Sequence, residues 1–282
     1  MPIIRPMTTI PGAPATNLKD AVRSHWQQQP CGTREVGTAD RRRFFDEIER
    51  DRYALEPYIR PFARFEEGRG KQVLEVGVGA GTDFVNWVRQ GAIATGVDLT
   101  QQGVALTRER LALEGLEAEV RVADAETLPF EDASFDIVYS YGVLHHSPDT
   151  PRAIREVHRV LRRGGKARVM IYHYPSWVCF MVWGVHAAAK GRPWTTPRQA
   201  VFDHLESPGT KVYTVTQARI LFRDFARVDV RAQLSHGDLL LMRPAAKYRR
   251  WHHELAWKLY PRLLIRAAGD RLGTFLLIEA QK

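Results

Sequence analysis

One short stretch constrains the fold more than any other: an apolar run that ends in three alternating glycines, VLEVGVGAGTDF, residues 73–84. A run of strand length followed directly by Gly77, Gly79 and Gly81 predicts a buried strand that turns tightly into a helix. Glycine lets the backbone turn there and lets a ligand approach the N-terminus of the helix closely. The stretch therefore predicts a nucleotide-type ligand at the end of a strand.

The segments around this turn alternate between short β-rich runs and helical patterns, from Gln72 to Tyr174. TPRAIREVHRVLRRGG is predicted as a helix that ends at its glycines, and KARVMIYHY as the fifth strand. ARVDVRAQL and GTFLLIEAQK are predicted as two closing strands. Such alternation is typical of a parallel sheet with helices on both faces.

Cysteine usage narrows the chemistry. The sequence has two cysteines, Cys31 and Cys179, and no Cys-x-x-Cys pair, which excludes a disulfide scaffold and a cysteine-rich zinc site. No cluster of His, Cys and carboxylate residues has metal-ligand spacing, so we expect no metal. A reducing, cytoplasmic setting fits this usage.

Hydropathy gives no sign of a membrane span. The N-terminal stretch MPIIRPMTTIPGAPATN has no continuous apolar region of the kind that a secretory signal needs. The longest apolar run, residues 177–189, is about 20 Å long as a helix, short of the ~30 Å hydrocarbon core. We expect a soluble chain, or at most one with peripheral membrane contact.

Charge is uneven along the chain. Residues 1–150 hold 17 Lys+Arg and 23 Asp+Glu, whereas residues 151–282 hold 24 and 9. The basic, aromatic stretch 243–266 is compatible with the rim of a pocket for an anionic acceptor, which we favour. It is also compatible with a helix on a membrane surface, a nucleic-acid contact, or a solvated or dimer-forming helix.

Acidic residues point to the type of ligand. The glycines read G-x-G-x-G, with Thr82 where a dinucleotide fingerprint has its last glycine. Glu75 precedes the turn and would repel a pyrophosphate, but suits a cofactor that carries an ammonium and a sulfonium, S-adenosylmethionine. Asp98, 21 residues beyond Gly77, ends the second strand, where a carboxylate can accept from ribose hydroxyls. Asp124 ends the third strand and is placed to meet an adenine amino group.

Four segments taken together resemble the class I S-adenosylmethionine-dependent methyltransferases. They are LEVGVGAGTDF, GVDLT, VADAETLPFEDASFDIVYSYGVLHH and REVHRVLRRGGKARVMIY, and they match that superfamily's motifs in order and spacing. The resemblance covers residues 70–174 and the closing strands. It is strongest to the small-molecule branch that includes ubiquinone-type and sterol-type methyltransferases.

The resemblance implies an α/β fold: a Rossmann-like, seven-stranded, mostly parallel sheet of order 3-2-1-4-5-7-6. Its last strand is antiparallel, and N-terminal helices and helical insertions surround it. The resemblance also implies a set of cofactor-binding residues, which are Glu75, Gly77, Gly79 and Gly81 at the methionine end, Asp98 at the ribose, Leu99, Asp124 and Ala125 at the adenine, and Ser140 and Tyr141 under the sulfonium.

Four parts of the chain are predicted. They are an N-terminal tail and helical lid (1–68), the Rossmann-like core that binds S-adenosylmethionine (69–174), a lid or substrate insertion (175–213), and the C-terminal part of the sheet (214–282) with a basic helical insertion at 240–271. The insertion at 175–213 carries four aromatic residues that we expect to form the lid's own core: Trp177, Phe180, Trp183 and Trp194.

Three histidines are candidate catalytic bases. His145 and His146 follow the fourth strand and His173 ends the fifth, at the edge where open α/β sheets bind ligands. A histidine has the pKa range that a general base needs. Alternatively, His145 packs structurally and only one of the adjacent pair faces the pocket.

The sequence favours a small-molecule acceptor. SYGVLHH stands after the fourth strand, where methyltransferases of base amino groups usually have Asn-Pro-Pro-Tyr or Asp-Pro-Pro-Tyr. Because no RNA-binding module is recognisable either, a nucleic-acid partner is not expected. We predict methyl transfer to a nucleophilic atom of a metabolite; RNA or protein methylation, and cofactor binding without methyl transfer, stay as alternatives. The sequence carries no signal for an oligomeric state.

Overall fold

The chain folds around one seven-stranded sheet. The computed structural model describes residues 15–28, 30, 33, 40–241 and 257–282. The strands lie in the order β3-β2-β1-β4-β5-β7-β6 and β7 is antiparallel to both neighbours, which confirms the predicted topology. The strands are β1 (Gln72–Val76), β2 (Ile93–Asp98), β3 (Glu119–Val122), β4 (Phe135–Tyr141), β5 (Leu161–Tyr172), β6 (Arg227–Gln233) and β7 (Phe275–Gln281).

Helices connect and flank these strands. A capping box of Thr214 and Gln217 begins one of them, as the spacing of these two residues indicates. The described helices are α1 (Ala15–Gln28), α2 (Arg41–Leu55), α3 (Ile59–Ala63), α4 (Phe84–Arg89), α5 (Gln101–Glu114), α6 (Thr150–Val160), α7 (Trp177–His186), α8 (Pro197–His204), α9 (Val215–Leu221) and α10 (Arg262–Ala267).

The central strands are buried on both faces. Along β1, Val73 packs into one hydrophobic cluster, whereas Leu74 and Val76 pack into the cluster on the opposite face. Successive side chains of a strand point to opposite faces, and here both faces are buried. Apolar residues therefore occupy successive positions of β1, such as Val73 and Leu74, as is typical of a parallel sheet. Parallel pairing of β1, β2, β3 and β4 brings their carboxyl ends to one edge.

The predicted helix over residues 150–165 is wrong at its end. Helix α6 stops at Val160, and Leu161 already pairs with Phe135 as the first residue of β5. The glycines end no helix. They form an irregular start to the strand: Gly164 has a φ of 80° and donates to the Lys282 carbonyl, and a Cβ on Gly165 would lie 2.8 Å from a backbone oxygen.

A buried ion pair ties the N-terminal helices to the glycine turn. Asp83 is 4% exposed, and its carboxylate accepts hydrogen bonds from Arg52 of α2 (Nε, 3.0 Å), Tyr53 (3.0 Å) and Tyr139 of β4 (2.9 Å). Burial opposes ionisation, but the adjacent guanidinium dominates and lowers the pKa of Asp83. Tyr53 is therefore part of this network.

We predict that Asp83→Ala lowers the free energy of unfolding by about 3–5 kcal/mol, because it leaves a buried guanidinium without its partner. Urea unfolding measures this loss. Asp132→Ala is the matched control, since Asp132 pairs with Arg159 but has a side chain 78% exposed; its effect should stay within about 0.5 kcal/mol. Equal effects of the two substitutions would contradict the role given to Asp83.

Candidate active site

The glycine turn is shaped for close approach of a ligand. Gly77, Gly79 and Gly81 all have positive φ, which non-glycine residues rarely adopt. A Cβ on Gly77 would lie 2.2 Å from a Val143 methyl group, so any larger residue would displace the loop after β4. At Gly79 an added Cβ would meet nothing within 4 Å, so the backbone there borders open space.

Asp98 holds this turn in place. Its Oδ2 accepts from the Gly79 backbone N–H at 2.9 Å, and its Oδ1 accepts from the backbone and hydroxyl of Thr100 at 2.9 and 2.7 Å. An ionised carboxylate has about four acceptor positions, so three bonds leave capacity for a ribose hydroxyl. Asp98, which is predicted to bind the ribose, thus also stabilises the glycine turn through this hydrogen bond.

Glu75 is a buried carboxylate with an unsatisfied oxygen. Its side chain is 3% exposed and its Oε2 has no hydrogen-bond partner among the described residues. Burial, and then the nearby carboxylates of Asp83 and Asp98, raise the pKa of Glu75 well above its ordinary range. A cationic ligand would offset both effects, so the donor set fits a cofactor with an ammonium and a sulfonium.

Asp124 is paired in the structure. Its Oδ2 accepts from Lys19 of α1 at 2.6 Å, and its Oδ1 accepts from the Glu126 backbone at 2.9 Å. Lys19 also contacts the Glu126 carboxylate. Adenine contact by Asp124 stays a prediction, and it would take place beside this ion pair.

The other predicted cofactor residues lie at the same edge. Ser140 is buried and donates to the Val76 carbonyl at 2.9 Å, which fixes its hydroxyl between β1 and β4. Tyr141 has a buried hydroxyl with no partner among the described residues, and the Arg52 guanidinium lies 5.0 Å from its ring centroid. Leu99 and Ala125 are half-buried beyond the ends of β2 and β3.

The adjacent histidines have different environments. His145 is fully buried, with its ring 4.0 Å from Tyr172 and 4.1 Å from His146, centroid to centroid. Neither of its ring nitrogens has a partner among the described residues, and burial lowers its pKa well below the ordinary value. His173 is bound through Nδ1 to the Gly273 carbonyl at 2.8 Å, and burial lowers its pKa also.

His146 has polar neighbours at both ring nitrogens. Its Nδ1 lies 2.9 Å from the Ser207 hydroxyl and 3.1 Å from the Thr210 hydroxyl. The Thr210 hydroxyl also donates to the carbonyls of Leu205 and Ser207, whereas the Ser207 hydroxyl can donate to Nδ1 or accept from it. On the other side of the ring, Nε2 lies 3.3 Å from a Glu206 carboxylate oxygen.

Glu206 is a candidate that the sequence did not reveal. It belongs to the segment 175–213, and Tyr172 donates to its Oε1 at 2.8 Å. No motif marks a glutamate 60 residues beyond His146 along the chain. Donor atoms of His145, His146 and Glu206 lie within 4.8 Å of one another, a juxtaposition that could hold a metal ion and that only the fold creates. The expectation of no metal stays a prediction.

Both flanking segments lie over this edge. From α1, Trp26 makes an edge-on contact with His146 at 5.2 Å between ring centroids. From the other side, Ser207 and Thr210 bind the same histidine, which is left 4% exposed. Both segments thus contact His146, and their action as a lid stays a prediction.

A second group of buried polar atoms joins the N-terminal and C-terminal parts of the chain. Glu56 Oε1 lies 2.9 Å from His236 Nδ1, while Glu56 Oε2 and the Tyr58 hydroxyl have no partner among the described residues. Burial opposes charge on His236, but Glu56 outweighs it and raises the pKa of that histidine. Unsatisfied buried groups of this kind are typical of a site that binds a polar ligand.

The sequence core matches a known domain. Residues 74–169, which contain the glycine turn, Asp98, Asp124 and the histidine pair, match the family model described as "Methyltransferase domain". This core belongs to the class I S-adenosylmethionine-dependent methyltransferases. Its family and fold imply that S-adenosylmethionine is the cofactor.

Two relatives match this methyltransferase core. The phthiotriol/phenolphthiotriol dimycocerosates methyltransferase of Mycobacterium tuberculosis is 47% identical over 98 residues, which are 34% of this chain and 36% of that protein. The phosphatidylethanolamine N-methyltransferase of Cereibacter sphaeroides is 37% identical over 108 residues, 38% of this chain and 52% of that protein. The matches thus span about a third to a half of these relatives' lengths.

A solved structure shares the fold. The S-adenosylmethionine-dependent methyltransferase of Mesorhizobium loti superposes with a TM-score of 0.53 and 20% identity, covering 80% of this chain and 97% of that one. At this identity the likeness shows the fold alone. Its coverage of this chain is larger than that of the matched core.

We predict that Glu75→Gln stabilises the protein and weakens cofactor binding. A carboxylate whose pKa is raised on folding costs stability above its unfolded pKa, so a neutral amide should add about 1–3 kcal/mol at neutral pH. Loss of the charge should lower S-adenosylhomocysteine affinity by about tenfold or more, since it removes a charge-assisted contact with the ammonium. Thermal unfolding and calorimetry measure the two effects. A destabilised variant of unchanged affinity would contradict the assignment.

Proposed function

We propose that this protein transfers a methyl group from S-adenosylmethionine to a nucleophilic atom of a small-molecule acceptor. The observation that carries the proposal is the convergence, at one edge of the sheet, of the glycine turn, the carboxylates of Glu75 and Asp98, and the buried His146. The cofactor supplies an activated methyl group on a sulfonium. The protein supplies alignment and, where the acceptor carries a proton, a base.

The cofactor-holding roles are divided along the edge. The backbone of Gly79 borders the space at the methionine end, and Glu75 below it attracts the positive groups. Asp98 has acceptor capacity for the ribose. Asp124, Leu99 and Ala125 complete the adenine end, by the resemblance of their positions to the family motifs.

His146 is the base that we propose. In the tautomer with its proton on Nδ1, which the Thr210 hydroxyl can accept, Nε2 is the atom that would take a proton from an acceptor. Glu206 lies beside that nitrogen, where it would stabilise the imidazolium that forms. Against the effect of its burial, His146 and Tyr172 lower the pKa of Glu206, so it is ionised at neutral pH.

Enclosure of this base favours a small or slender acceptor. Trp26 and the 205–210 turn both contact His146, so a folded RNA or protein surface has no direct route to Nε2. The two relatives are named for a phosphatidylethanolamine and a phthiotriol dimycocerosate, both lipids. We propose that the acceptor is of that class, an apolar molecule with one reactive polar group.

The first test is cofactor binding. We expect calorimetry to detect binding of S-adenosylmethionine and S-adenosylhomocysteine, and none of NAD. Asp98→Ala should lower the affinity by roughly tenfold to a hundredfold, since hydrogen bonds to a charged group contribute about 1.5–3 kcal/mol. Asp132→Ala, on an exposed loop, is the control. Unchanged affinity in Asp98→Ala would reject the site, and binding of NAD would reject the cofactor.

The second test separates binding from catalysis. His146→Ala should leave S-adenosylhomocysteine affinity unchanged and lower the rate of methyl transfer to a lipid-extract acceptor by roughly 10²- to 10⁴-fold, since a general base contributes that much. Glu206→Gln should lower the rate less. His204→Ala, an exposed histidine of α8, is the control. A full rate in His146→Ala would remove this histidine from the mechanism.

The same assay addresses the alternatives. We expect the rate to be unchanged by EDTA. Loss of activity that a divalent ion restores would instead assign His145, His146 and Glu206 as metal ligands. Cofactor turnover with bulk RNA and not with lipid extract, and with a steep salt dependence, would support RNA methylation.

A further inference from the structure

Six exposed apolar side chains lie on two segments of the chain, 180–194 and 259–264. Three leucines of the C-terminal segment, Leu259, Leu263 and Leu264, are each more than 70% exposed, as is Trp194. Phe180 and Val185 of α7 are exposed as well. Trp194 and Phe180 were expected in the core of the lid, and that expectation is wrong. We call these six side chains the apolar patch.

The two segments that carry the apolar patch are packed together. Tyr260 donates to the Met181 sulfur of α7 at 3.4 Å, and Ile265 of α10 is buried in a cluster that includes Trp177. The loop with Trp194 is tied to α7 because Trp183 donates to the Thr195 carbonyl at 2.7 Å. The inner residues therefore hold the segments against the protein, and the patch residues are the ones left facing solvent.

The two segments that carry the apolar patch are rich in positive charge. Residues 177–204 contain three Lys+Arg and one Asp, and residues 257–272 contain four Lys+Arg and one Asp, so the two segments hold seven cations and two acids. Lys258 and Arg266 are exposed and form no ion pair with the described part of the chain. Exposed apolar side chains on segments with unpaired cations are complementary to an anionic lipid surface, whose headgroups attract the charge and whose acyl boundary accepts the apolar groups.

We propose that the apolar patch and its cations dock this protein on an anionic lipid bilayer as a peripheral protein. Among the described residues no helix has the length and hydropathy to cross a membrane, so the contact is confined to the surface. The insertion that carries Phe180, Val185 and Trp194 continues into the turn that binds His146. Docking would thus place the acceptor side against the membrane. Docking is separable from catalysis and does not rest on the proposed function.

Vesicle flotation of the full chain tests this proposal. The wild type should bind vesicles made of equal parts phosphatidylglycerol and phosphatidylcholine, and bind pure phosphatidylcholine vesicles at least about tenfold more weakly, because only the former carries negative charge. Leu263→Gln/Leu264→Gln should lower partitioning to the anionic vesicles by about tenfold or more. Lys258→Glu/Arg266→Glu should lower partitioning to the anionic vesicles by a comparable factor, and by a larger factor at low salt, where charges are screened less.

Matched controls lie at the opposite edge of the sheet. Ile93→Gln replaces an exposed apolar residue at the start of β2, and Arg163→Glu reverses an exposed cation at the start of β5. Both should bind vesicles as the wild type does. Absence of vesicle binding by the wild type, or equal loss in the controls, would overturn the proposal. So would a dimer in light scattering that Leu263→Gln/Leu264→Gln dissociates, with no vesicle binding, because the patch would then face a second copy.

Discussion

The ion pair between Arg52 and Asp83 is the constraint on which the rest of the site depends. It joins α2, the glycine turn and, through Tyr139, strand β4, so three separate segments meet at one buried carboxylate. The Arg52 guanidinium compensates the charge of Asp83, but Glu75 is left with an unsatisfied oxygen. The surroundings of Glu75 are therefore short of positive charge, which favours a cofactor that brings its own cations.

The central strands and their order could be predicted from the sequence because each depends on a local signal. An apolar run before Gly77 predicts a buried strand and turn, and the spacing of Thr214 and Gln217 predicts a helix start. The end of α6 could not be predicted in this way. Its helical pattern continues past Val160, but Leu161 gains more by pairing with Phe135 in the sheet, an interaction invisible in the local pattern.

The site could be predicted only in part, for the same reason. The predicted cofactor residues lie at strand ends and within one motif, so their positions follow once the strands are placed. Glu206 is different, because its meeting with His146 depends on how the 175–213 segment folds back over the edge. The two adjacent histidines illustrate the limit: neighbours in sequence, they differ because His145 lies between two rings while His146 reaches the hydroxyls of that segment.

The 175–213 segment has two surfaces with opposite chemistry, and this combination bears on how an apolar acceptor would reach the base. Its inner surface presents Glu206 and two hydroxyls to His146, while its outer surface presents Trp194 and Val185 to solvent. An enclosed polar site is costly for a lipid to enter from water, since its apolar part must first leave its own aggregate. An apolar outer surface on the same segment would shorten the path of the lipid from its aggregate to the site. A protein that held both surfaces on separate elements would have to align them by a further motion.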